Sequence, residues 1–161
     1  MLNSADKLDK KIPNALGLYE SDFYLWLETT ANLLNQGEFS QIDLPNLIEE
    51  IETMGRSEKR AIKNNLIVVL IHLLKYKYQP HKSSASWKAS IREHRRRLKD
   101  DLISSPSLKV YLAEIFDQCY EEARKQAADE TELSLETFPE ECPFARDETL
   151  NDNYLPIVKA E

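Results

Sequence analysis

Two histidines and two glutamates are the residues whose types could build a metal centre in this chain. His72 interrupts the apolar stretch from Leu66 to Leu74, and His94 falls between Ile91 and Leu98 on the apolar side of a helical pattern. Imidazoles on consecutive helices can meet, and Glu50 or Glu52 would complete a His/His/Glu set suited to a transition metal. The spacing argues against it. No Glu-x-x-His pair and no His-x-x-x-His pair is present, so the di-iron bundle signature is missing. A core histidine that donates one ring proton to a carbonyl or carboxylate explains the same residues more simply. The glutamates, next to Arg56, Lys59 and Arg60, read more simply as a salt-bridged helix joint.

Nucleophilic chemistry has less support. Gly55-Arg56-Ser57 lacks the Gly-x-Ser-x-Gly elbow that exposes a catalytic serine. Cys142 lies among Glu140, Glu141 and Pro143, and neighbouring anions disfavour a thiolate. No residue is assigned a catalytic role and no cofactor is expected; the sequence leans away from an enzyme.

The charge pattern is the stronger signal. Residues 56–99 carry thirteen Lys/Arg and two carboxylates, Glu58 and Glu93, inside a chain of net charge −7. Residues 1–55 hold three basic and ten acidic side chains, and residues 100–161 hold five and sixteen. A basic middle flanked by acidic ends faces negative charge, either the protein's own or a partner's. Lys88, Arg92, Arg95, Arg96 and Lys99 fall along one helical flank, and Lys75 and Lys77 alternate with tyrosines just before them. That set could hold an acidic protein, or grip phosphates and stack bases of a nucleic acid. Alternatively, residues 129–161, with ten acidic and two basic side chains, could lie over it.

These residues need helices to position them. Three glycines in 161 residues argue against a sheet protein with many tight turns. Residues 1–18 read as an N-terminal arm. Ser21 is expected to cap a helix burying Phe23, Trp26, Leu27, Leu33 and Leu34, ended by Asn35-Gln36-Gly37. Asp43 should cap a second helix with the stripe Leu44, Leu47, Ile48, Ile51 and Met54, closed by Gly55. Ser57 then opens a third, apolar on all sides between Ile62 and Leu74, which belongs in the middle of a bundle. Gln79-Pro80 stops it. A fourth helix spans about 85–103, with Trp87, Ile91, His94, Leu98 and Leu102 inward, and Ser105-Pro106 starts a fifth. The expected fold is an all-α antiparallel bundle of about five helices over residues 19–128, with an irregular acidic C-terminal segment, 129–161.

Taken together these blocks resemble a bacterial family known as domain of unknown function 29. The resemblance rests on Tyr19-Glu20-x-Asp22-Phe23-x-x-Trp26, on Leu47-Ile48-Glu49-Glu50-Ile51-Glu52, and on Met54-Gly55-Arg56-Ser57 with Lys59-Arg60. It continues through His72-Leu73-Leu74-Lys75, Gln79-Pro80, Ser86-Trp87, Ser105-Pro106-Ser107-Leu108, Cys142-Pro143 and Tyr154-Leu155-Pro156. It implies a helical, cytoplasmic, bacterial protein, with cyanobacteria a plausible source, and no activity. The longest apolar run is far short of the roughly 20 residues a membrane span needs. Cys119 and Cys142 read as reduced thiols. The functional expectation is a soluble, non-enzymatic binding module with its basic face toward an acidic protein or nucleic acid. A His/His/Glu metalloenzyme and a regulatory adaptor or antitoxin-like partner are the alternatives, and self-association stays open.

Overall fold

The computed structural model describes residues 17–157; the expected arm lies, but for its last two residues, outside them. The described chain is helical, with no strand. Its α-helices are α1 (Leu18–Ser21), α2 (Phe23–Gln36), α3 (Leu44–Tyr78), α4 (Ala85–Ser104), α5 (Leu108–Thr131) and α6 (Arg146–Leu150), with a 3-10 turn in the links α2–α3, α3–α4 and α5–α6. The chain divides into two compact units, one ending at Met54 and the other beginning at Gly55.

In the first unit, Asp22 rather than Ser21 caps α2: its carboxylate accepts from the Leu25 N–H at 3.0 Å. Ser21 closes the one-turn α1 and donates to the Gly17 carbonyl. Gly37 ends α2 with φ of 74°, a left-handed conformation that a side chain would strain. Trp26 and Leu33 form a small core on which Leu18, Tyr19, Ile42 and Leu47 pack. The expectation for the other apolar residues fails. Phe23, Leu27, Leu34, Leu44, Ile48, Ile51 and Met54 are all exposed. The helices are amphipathic as read, but the described part of this unit covers only one flank of each.

A second correction concerns Gly55 and Ser57. They neither end nor start a helix; α3 runs through both for 35 residues. Gly55 is not among the glycines of positive φ. One glycine costs a helix interior only about 1 kcal/mol, which good helix formers on both sides offset. Pro106 is corrected too: it sits in the turn before α5, and Ser107 holds the capping position.

In the second unit the inward reading of the long helix holds. Ile62, Leu66, Val69, Leu70, Ile71, Leu73 and Leu74 are buried. Ile91, Leu98 and Leu102 of α4, and Leu112, Phe116, Cys119 and Ala123 of α5, join the same core. The C-terminal segment is strapped onto it. Phe138 and Phe144 are buried in that core; Phe138 meets Tyr78 edge to face, and Phe144 meets Tyr154 likewise. Tyr120 donates to the Pro139 carbonyl at 2.6 Å, and Arg124 Nε to that of Phe138 at 2.8 Å. Such bonds satisfy backbone carbonyls that an irregular segment cannot pair within itself.

Candidate functional site

The basic ridge is the natural place to seek function, and its members have different fates. Arg95, expected on an exposed face, is 1% exposed. Its guanidinium donates to three backbone carbonyls of the strap: Nε to Thr149 at 2.8 Å, Nη1 to Tyr154 at 2.8 Å and Nη2 to Glu148 at 3.1 Å. Burial pushes its pKa below the ordinary arginine range, yet arginine stays charged and fully donating. Arg95 is therefore a clasp within the fold and not a partner contact.

Its neighbours are largely committed as well. Arg96 pairs with Glu93 at 2.9 Å and Asp100 at 2.7 Å, and Arg97 pairs with Glu93 at 2.8 Å. Hydrogen bonds from Arg96 and Arg97 pull the Glu93 carboxyl down to about 2. Lys99 pairs with Asp152 of the strap. Lys75 pairs with Glu130 at 2.8 Å while lying 4.8 Å from the centre of the Trp87 ring. Lys77, half-buried, lies over the Tyr78 and Phe144 rings. The acidic C-terminal region thus answers part of the basic charge.

What remains outward is a smaller patch. Lys82, Lys88 and Arg92 are exposed, and among the described residues none of them enters an ion pair. Lys88 Nζ stands 5.8 Å from the centre of the Tyr76 ring. Residues 76–92 contain four Lys/Arg and no carboxylate, so nothing in this stretch of sequence neutralises the patch. Lys82 was not among the residues the sequence singled out as contacts; the absence of any acid from Tyr76 to Arg92 was its signal.

The metal set does not assemble. Among the described residues no three of His, Cys, Asp and Glu come together as a metal-binding group. Glu50 accepts from the Tyr19 hydroxyl at 2.5 Å within the first unit, which pushes that phenol up to about 12. Glu52 is exposed on the same helix. His72 and His94 do approach one another in the second unit, closely enough that His72 helps to disfavour the charged form of His94. His72 Nδ1 lies 2.9 Å from the Val68 carbonyl, and a carbonyl only accepts, so Nδ1 carries the proton. His94 Nδ1 meets Asn65 Oδ1 at 2.7 Å, and Asn65 Nδ2 donates to the Ala61 carbonyl, which fixes the amide's orientation. Each ring is held by one such bond, as the simpler reading of core histidines expects. Burial, Arg97 and His72 together lower the His94 pKa.

An open cleft of about 630 Å³ lies between α5 and the strap, floored by Phe116, Tyr120 and Phe144 and reached by Cys142. Burial pushes the Cys142 thiol up to about 11, and no histidine or lysine lines the cleft to act as its base. That thiol is a poor nucleophile.

These features define a class: an all-α protein in which a three-helix core is closed by a C-terminal strap that a buried arginine holds. The chain belongs to the family "Domain of unknown function DUF29", whose model matches residues 18–155. No curated protein and no solved structure matches it. No helix among the described residues is long and apolar enough to cross a membrane.

Proposed function

We propose that this protein is a non-enzymatic interaction module of the bacterial cytoplasm that receives an acidic segment of a partner protein on Lys82, Lys88 and Arg92. The observation that carries the reading is the contrast along the ridge. Arg95, Arg96, Arg97, Lys75 and Lys99 are engaged within the fold, whereas these three cations are exposed and outside any ion pair among the described residues. Two features favour a polypeptide over a nucleic acid. Lys88 lies over the Tyr76 ring and Lys75 over the Trp87 ring, so a cation already covers one face of each ring that would stack on bases. The net charge of −7 also repels a polyanion at long range, while a short acidic peptide meets mainly the local field. Two cysteines that stay unpaired accord with a reducing compartment.

Fluorescence anisotropy with a polyglutamate peptide and a single-stranded oligonucleotide, both at low salt, tests the reading. The peptide should bind the wild-type chain more tightly than the oligonucleotide does. Lys82→Glu/Lys88→Glu/Arg92→Glu should abolish the binding. Tighter binding of the oligonucleotide, with affinity falling by a log–log salt slope of about −2 for three phosphates, would replace the acidic protein by nucleic acid.

A further inference from the structure

The first unit carries a surface of opposite character, independent of the basic patch. Leu44, Ile48 and Ile51 lie within about 60° of one another around α3, and Phe23, Leu27 and Leu34 within about 40° around α2, at 100° per residue. All six are 43% to 60% exposed. The two strips fall on one side of a helical hairpin. The connection 37–43 joins the end of α2 to the start of α3. Tyr19 packs edge-on against Phe23 and Trp26 at the start of α2 and reaches Glu50, further along α3. The helices therefore run antiparallel. On each helix the exposed strip is rotated roughly 90° from the buried line, Trp26 and Leu33 on α2 and Asp43 and Leu47 on α3, in the direction of rising residue angle. For antiparallel neighbours, equal rotations of that sense lead to the same side. The result is a two-helix apolar face, the shape into which a third helix packs.

Charge identifies what suits it. Between Gly17 and Gly55 there are eight carboxylates and no Lys or Arg. A second copy docking through this same stretch would set its eight carboxylates against eight more. A helix with one leucine-rich side and one cationic side would match both the apolar strips and the field around them. We infer that this face is the docking site for a cationic amphipathic helix of another protein, seated between Phe23–Leu27–Leu34 and Leu44–Ile48–Ile51.

The probe is a synthetic peptide with leucine on one helical face and lysine on the other, titrated into the full chain and followed by anisotropy and by its gain of helicity. Wild type should bind it, while a glutamate-for-lysine twin and a sequence-scrambled isomer should not. Ile48→Ser/Ile51→Ser and, separately, Leu27→Ser should each weaken binding by about tenfold or more, with the protein's own helical signal unchanged because these side chains are exposed. Three results would overturn the inference. The first is equal binding of the scrambled peptide. The second is sedimentation of the wild type as a dimer that the same substitutions dissociate, which would make a second copy the occupant. The third is a large gain in peptide affinity on Leu8→Ser/Ile12→Ser, which would make the chain's own first residues the occupant.

Discussion

Arg95 Nε donates to the backbone carbonyl of Thr149 at 2.8 Å, joining α4 to α6 across 54 positions of sequence. With its two further bonds, to Tyr154 and Glu148, this one side chain ties the strap to α4 at three points. Removing it would take the guanidinium donor from the Thr149 and Tyr154 carbonyls, leave Glu148's with only the Asn151 N–H, and open a void where a long side chain was packed. Arg95→Met should therefore lower unfolding stability by about 3 kcal/mol or more, read as a drop in the urea midpoint. Arg95→Lys should recover little, because one ammonium cannot span three acceptors in the guanidinium's planar geometry.

Arg95 also shows how far the sequence could be read. Helix type, the buried face of residues 62–74 and the inward α4 stripe follow from period alone, because nothing but a bundle interior suits residues apolar on all sides. Arg95 lies only about 20° around α4 from Leu102, so its angle already placed it beside the core. Its charge argued for the surface, and the carbonyls that repay its burial come from an irregular segment with no periodic signal. The opposite error fell on Ile48 and Ile51. An amphipathic stripe says which face wants cover, but not whether this chain supplies it.

The His94 ring makes stability depend on pH. Its pKa in the fold lies below the ordinary value of 6.5, through burial first and then Arg97 and His72. The unfolded chain therefore binds the proton more readily, and stability falls as pH drops through 6.5. The loss continues until the medium is more acid than the folded pKa; above neutrality the contribution is complete and flat. One site limits the slope to about 1.4 kcal/mol per pH unit. Urea midpoints for His94→Gln should show a shallower decline between neutral and mildly acidic pH than wild type. Equal slopes would mean that another group governs acid sensitivity.

Cys119 and Cys142 should be slow to react in the native protein. Burial raises each thiol to about 11, so very little thiolate exists at mildly alkaline pH. Reaction with a chromogenic disulfide should lag a free thiol by at least about tenfold. Cys142, half-buried beside the open cleft, should precede the fully buried Cys119. In denaturant both should react at once, and rapid native labelling of Cys142 would show that the strap opens.

Gly55 and Gly37 should respond in opposite directions to the same substitution. Gly55 lies inside α3 without positive φ, and a Cβ there meets nothing within 4 Å. Gly55→Ala therefore adds helix propensity at no steric cost and should stabilise the chain by about 0.5–1 kcal/mol. Gly37 also has open space around it, but its φ of 74° is the conformation that closes α2. Gly37→Ala should destabilise by about 1 kcal/mol, because an L side chain is strained there however much room surrounds it. Thermal melts of the two variants measure both signs. Because α3 crosses the boundary between the two compact units at Gly55, the melts also test whether the glycine is kept as a helix weakness. If Gly55→Ala stabilises the protein but weakens binding of the cationic helical peptide, flexibility at that point matters for docking; if binding is unchanged, the glycine is mechanically idle.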